Sequence, residues 1–122
     1  AMVVHGHDGL DEISTTASTN ISHLKDDNSI ESTVISPDDY GFSTALLADL
    51  KGGTPKQNAK IITSILDGSD TGKKADIVIL NAGAGILVGG EAKNLDEGIN
   101  MAKEALKSGT ALVKLNKLVA VK

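Results

Sequence analysis

Apolar and polar residues along this chain follow two different rhythms, with a break near residue 40. Up to that point the pattern is one of short strands. Met2 to His5 is a brief apolar run, and Thr19-Asn20-Ile21-Ser22-His23-Leu24 and Ile30-Glu31-Ser32-Thr33-Val34-Ile35 are rich in Ser, Thr and β-branched residues. In the last of these, Ile30, Ser32 and Val34 alternate with Glu31, Thr33 and Ile35, which puts them on opposite faces of a strand. The polar cluster Lys25-Asp26-Asp27-Asn28-Ser29 predicts a turn, and with it an antiparallel hairpin. Ser36-Pro37-Asp38-Asp39-Tyr40-Gly41 then breaks the strand.

After the break the spacing is helical. Thr54-Pro55-Lys56-Gln57 combines a Thr cap, Pro at the first helical position and Gln three residues after the cap. Ile61, Ile62, Ile65 and Leu66 continue the helix, and Gly68 is placed to stop it. Asn94 to Glu97 repeats the start signal, with Asp96 and Glu97 in the first turn. Leu95, Ile99, Ala102 and Leu106 form one apolar stripe, Lys103 and Lys107 sit late where the helix dipole favours cations, and Gly109 is the stop. A last helix is predicted from about Ala111, with Leu112, Leu115 and Val119 on one face. Between these, Ala75 to Gly90 has two readings. Ile77-Val78-Ile79-Leu80 is strand-like and Asn81-Ala82-Gly83-Ala84-Gly85 turn-like, but the whole stretch also fits a wholly buried helix with small residues for close packing. Periodicity does not choose between them. There is no internal repeat, and residues 51–54 and 68–74 read as connectors.

At 122 residues the chain fits one domain. One Tyr, one Phe and no Trp leave the core to Ile, Leu, Val and Ala, which suits close packing more than deep aromatic pockets. Without Cys, a disulfide framework and a Cys-ligated metal site are excluded, and a cytoplasmic setting fits. No apolar run reaches the length of a membrane span, and no signal-peptide pattern opens the chain. The net charge of −4, with no basic cluster, argues against nucleic acid as a partner. All twelve basic residues are Lys. Arg is the usual bidentate clamp for phosphate, so a phosphate-handling protein of this composition relies on metal, Lys or backbone amides, or on Arg in a segment outside this chain.

The densest candidate chemistry lies in His5-Gly6-His7-Asp8-Gly9-Leu10-Asp11-Glu12-Ile13-Ser14. Asp8, Asp11 and Glu12 offer hard oxygens to Mg²⁺, which takes a few carboxylates and completes its shell with water and phosphate. The plainer reading is a solvated acidic turn. A strand that opens the chain and leads straight into such a loop raises the expectation of missing sequence upstream, and Ala1 ahead of Met2 reads as a residue added in cloning. His5 and His7 have zinc-compatible spacing, but a structural site needs four ligands and few remain, so one His at a strand end and one in a loop is the better expectation. Gly83-x-Gly85 imitates a dinucleotide loop, yet the third Gly, Gly89, falls one residue late and no clean βαβ unit follows. Helix packing is the expected use of these glycines. Ser, His and Asp all occur, but no nucleophile elbow accompanies them.

Taken in order, the motifs resemble the anthranilate phosphoribosyltransferases. The residues that carry the resemblance are Val3-Val4-His5-Gly6 with Asp8-Gly9-Leu10-Asp11-Glu12-Ile13-Ser14; Ser36-Pro37-Asp38-Asp39-Tyr40-Gly41; Gly52-Gly53 with Asn58-Ala59; Leu66-x-Gly68; Asn81-Ala82; and Glu97-Gly98 through Ala102 to Ser108-Gly109-x-Ala111. The resemblance implies an α/β fold, with residues 1–122 as the C-terminal portion of a nucleoside phosphorylase/phosphoribosyltransferase catalytic domain: short N-terminal strands followed by a mostly helical C-terminal half. It implies that Ala75 to Gly90 is mainly helix. It also implies that the small helical domain carrying the homodimer contact, the glycine-rich pyrophosphate loop and the anthranilate-contacting Arg lie outside this chain. The family joins anthranilate to 5-phosphoribosyl 1-diphosphate in tryptophan biosynthesis, releasing pyrophosphate, with Mg²⁺ held by paired acids that correspond to Asp11 and Glu12. No general base, substrate-contacting residue or role for His7 is carried over, and the chain alone is expected to be inactive. Two other readings stand beside this one: an enzyme like the pyrimidine nucleoside phosphorylases, which the Asp-Glu pair disfavours, and a non-catalytic binding domain on the same scaffold.

Overall fold

A computed structural model of the chain describes residues 1–121. Three strands, β1 (Met2–Gly6), β2 (Thr19–Leu24) and β3 (Ile30–Ile35), form an antiparallel sheet in the order β1-β2-β3. Val4 lies opposite Ile21, which lies opposite Thr33. The expected hairpin is β2–β3, closed by the turn at residues 25–29 and by an ion pair from Lys25 to Glu31 at 2.7 Å. Both partners are well exposed, so the pair adds little beyond register. The break after β3 is a short 3₁₀ turn at Pro37–Tyr40, held at its start by the Ser36 N–H donating to Asp39 Oδ2 at 2.7 Å.

Five helices follow: α1 (Leu47–Leu50), α2 (Pro55–Leu66), α3 (Lys73–Val88), α4 (Leu95–Lys107) and α5 (Thr110–Val119). The start signals work as their chemistry requires. The Gln57 N–H donates to Thr54 Oγ1 and the Thr54 N–H donates back to Gln57 Oε1. The Glu97 N–H donates to Asn94 Oδ1 at 2.9 Å. Gly68 and Gly109 stop α2 and α4 with positive φ, and Gly109 also opens α5. The single turn of α1 was not expected, because four residues are too few to show a period.

Ala75 to Gly90 is helical almost throughout, as the resemblance implied and against its local strand-like look. It is not wholly buried. Ala75, Leu80, Gly83 and Ala84 face inward, while Val78, Ala82, Gly85 and Val88 are exposed. The reason for the helix is the neighbour it meets. A Cβ on Gly83 would lie 2.7 Å from the backbone nitrogen of Ile99, and one on Gly98 would run into the backbone of Gly83. Two glycines facing each other let α3 and α4 cross backbone to backbone, and this packing overrides the β-propensity of Ile77-Val78-Ile79. The core lies between the inner face of the sheet and this helix pair: Ile21 and Ile35 from the strands, Leu80 and Ala84 from α3, Leu95 and Ile99 from α4, with Phe42 and Ile13 from the connections.

Candidate functional site

The loop from His7 to Ser18 leaves β1, folds over its end and returns into β2. Its shape comes from one side chain. Asp8 accepts the Leu10 N–H at 3.1 Å on Oδ1 and the Ser14 hydroxyl at 2.5 Å on Oδ2, and the Thr16 hydroxyl donates to the same oxygen. Burial pushes the Asp8 carboxyl upward, but these donors outweigh it and hold the pKa below the ordinary value. Gly6 makes room for the fold-back, since a Cβ there would meet Asp8 Oδ1 at 2.5 Å. The loop closes with the Gly6 N–H donating to Leu10 O at 2.9 Å and the His7 N–H donating to Ser18 O at 2.8 Å. Its far end is tied to the 3₁₀ turn through the hydroxyls of Ser18 and Ser36, 2.8 Å apart.

The three acids therefore divide. Asp8 is engaged inside the loop and is part of its framework. Asp11 and Glu12 are exposed, and among the described residues neither carboxylate has a hydrogen-bond or ion-pair partner. The next residue, Ile13, is 1% exposed and anchors the loop in the core. Its main chain is gripped from α3: the Ile13 N–H donates to Asn81 Oδ1 at 2.9 Å, and Asn81 Nδ2 donates to Ile13 O at 2.8 Å. The Ser14 N–H donates to Thr19 Oγ1 at 2.9 Å. Two free carboxylates thus project from a short span between fixed points at Leu10 and Ile13. A pair of unpartnered hard oxygen donors facing solvent suits Mg²⁺, which prefers one or two carboxylates together with water and phosphate. Among the described residues no three or more His, Cys, Asp or Glu side chains are arranged to hold a metal ion together, so the pair would share the ion with other oxygens such as water or phosphate.

The other candidates fall out of the site. His5 lies in β1 and His7 in the turn after it, where Nε2 is 3.0 Å from Asn20 Oδ1. His23 lies in β2, opposite Met2. Gly83 and Gly85 lie inside α3 and cradle no loop. The Gly52-Gly53 and Asn58 motif is a backbone device: the Gly53 N–H donates to Asn58 Oδ1 at 2.7 Å. Beside Glu12 opens a groove of about 730 Å³, whose mostly apolar walls come from the loop, α1, α2 and α3, with Lys51 and Lys74 among its few charged members.

Reading the sequence did not single out Ser14, Thr16, Thr19 or Asn81 as makers of the loop. For three of them a signal existed. Ser14 and Thr16 follow Asp8 at a distance that lets the chain turn back on it, and Asn81 is the only polar side chain between Ile77 and Val88.

Residues 1–112 match the glycosyl transferase family, a/b domain. An anthranilate phosphoribosyltransferase of Thermoanaerobacter sp. (strain X514) is 48% identical over 119 residues, 98% of this chain but 35% of that enzyme. The crystal structure of anthranilate phosphoribosyltransferase from Thermus thermophilus superposes with a TM-score of 0.87 at 35% identity, again over 98% of this chain and 35% of the other. The Saccharomyces cerevisiae enzyme in complex with PRPP and Mg superposes at 0.80 with 27% identity, over 94% of this chain and 33% of that one. The chain thus spans about a third of the length of the relatives it matches.

Proposed function

This chain belongs to the glycosyl transferase family through its a/b domain, and we propose that it is the portion of an anthranilate phosphoribosyltransferase that holds Mg²⁺ against 5-phosphoribosyl 1-diphosphate. The observation that carries the reading is the pair Asp11 and Glu12, exposed and, among the described residues, unpartnered on a loop pinned at both ends. The likeness to a relative bound to PRPP and Mg supports the choice of ion and diphosphate. Anthranilate, the acceptor, follows from the shared name of the relatives. The chain contributes the C-terminal portion of the catalytic domain. The remaining length of the parent supplies the pyrophosphate loop and the small helical domain through which a homodimer forms. The cysteine-free composition agrees with a cytoplasmic enzyme.

Asp11 and Glu12 would hold the ion through their carboxylates, and Asp8 would keep the loop folded beneath them without touching it. Bound there, Mg²⁺ supplies charge neutralisation of the departing pyrophosphate. No residue of the loop is assigned proton transfer: the hydroxyls of Ser14 and Thr16 turn inward onto Asp8.

Mn²⁺, read by electron paramagnetic resonance, is a direct probe of the pair. The chain should bind it in the presence of 5-phosphoribosyl 1-diphosphate, and Asp11→Asn with Glu12→Gln should weaken binding by about tenfold or more, since both hard donors of the protein are removed. Equal affinity of the native and doubly substituted chains would overturn the assignment.

A further inference from the structure

Among the described residues nothing holds the side chains of Asp11 and Glu12, so their position depends on the main chain that carries them. On the upstream side that main chain is fixed within the loop, by the Gly6 N–H on Leu10 O and the Leu10 N–H on Asp8 Oδ1. On the downstream side the grip comes from 68 residues away. Asn81 meets the N–H of Ile13 with Oδ1 at 2.9 Å and the C=O of the same residue with Nδ2 at 2.8 Å. A single hydrogen bond sets a distance, whereas two opposed bonds to one residue also set the orientation of its peptide planes. The peptide unit whose N–H is captured is the one that links Glu12 to Ile13. Asn81 Nδ2 donates in addition to Ile77 O at 2.9 Å, which fixes the amide against its own helix. Both donors of the amide and its oxygen are then in use.

We propose that Asn81 is the positioning residue of the acid pair: α3 delivers its amide to the Ile13 main chain, and this sets where and in what direction the Asp11 and Glu12 carboxylates leave the loop. The inference rests on the metal-holding role given to those acids above, and it extends the site to a helix that contributes no ligand. A merely structural Asn81 would satisfy two buried peptide groups and leave the carboxylates as they were. A positioning Asn81 controls their order as well.

The first readout needs no metal. Backbone ¹⁵N relaxation and amide hydrogen exchange are compared between the native chain and Asn81→Ala at a temperature where both are folded. Order parameters at Asp11 and Glu12 should fall from the rigid range of about 0.85 toward about 0.6 or lower. Exchange at the Ile13 N–H should quicken roughly fivefold to tenfold. Unchanged order at Asp11 and Glu12 overturns the proposal. The second readout is Mn²⁺ affinity in the presence of 5-phosphoribosyl 1-diphosphate, which should weaken by about tenfold, the scale seen when the support of a ligand is lost. If Asp11→Asn with Glu12→Gln abolishes binding while Asn81→Ala leaves it intact, the positioning role fails and the metal role stands. If the double substitution leaves binding intact, the metal role fails, and the relaxation data alone decide whether Asn81 orders the loop. Should Asn81→Ala not fold, Asn81→Asp keeps the acceptor for the Ile13 N–H and loses the donors to Ile13 and Ile77, and the same measurements are made on it.

Discussion

Three carboxylates lie within five residues of one loop, and their surroundings give them separate work. Asp8 accepts from Leu10, Ser14 and Thr16, and those donors hold its pKa below the ordinary 3.8 despite partial burial. A folded-state pKa below the unfolded one means that the unfolded chain binds the proton more readily. The contribution of Asp8 to stability is therefore complete above the ordinary value and is lost as the pH falls through the folded-state value. Asp8→Asn should cost about 1.5–3 kcal/mol near neutral pH, the usual range for hydrogen bonds to a charged group. It should also flatten the loss of stability below pH 3.8. Urea midpoints of the native and substituted chains at pH 7 and pH 3 check both statements; parallel pH curves for the two would show that Asp8 is not the group responsible.

At the scale of elements, the crossing of α3 and α4 rests on glycines that meet backbone rather than flexible side chains. Gly83→Ala places a methyl group 2.7 Å from the Ile99 nitrogen and 2.9 Å from its Cα, so one of the two helices must move. The expected loss is about 1–3 kcal/mol, as for other insertions into a full core. Two residues along the same helix, a Cβ on Gly85 would meet no described atom within 4 Å beyond its chain neighbours and its own helix backbone. Gly85→Ala should be neutral or stabilising by up to about 1 kcal/mol, because alanine is the better helix former. Thermal denaturation of the two variants side by side tests the crossing: similar melting temperatures would mean that the helices are not packed as described. The Gly-x-Gly pattern that imitates a nucleotide loop is thus one glycine required by packing and one that is not.

For the molecule as a whole, the exposed surface is unusually apolar in places. Val3, Ile30 and Val34 on the sheet are each more than half exposed, and so are Leu47 and Ile62 in the groove beside Glu12. The relatives are about three times as long as this chain, and catalysis by positioning needs both substrates held at once. The proposed function accordingly predicts no detectable formation of phosphoribosylanthranilate by the isolated chain, followed by loss of anthranilate fluorescence. Sustained turnover by the 122 residues alone would refute this prediction.

The three strands, the turn between β2 and β3, the caps at Thr54 and Asn94 and the stops at Gly68 and Gly109 are marked by residues within a short span, and so they were legible in the order of the amino acids. The adjacency of Asp11 and Glu12 was equally plain. What only the tertiary structure decided depends on partners that helix or strand periodicity does not pair. Ile77 to Leu80 is helix because Gly83 meets Gly98 and Ile99. Asp8 leaves the group of candidate ligands because the loop folds back onto it, bringing Ser14 and Thr16 to its carboxylate. Asn81, one polar residue in an apolar run, reaches Ile13 across 68 positions. Local spacing carries no information about contacts of that length: a hydrogen bond closed by the packing of a helix against a loop exists only once both surfaces are buried together.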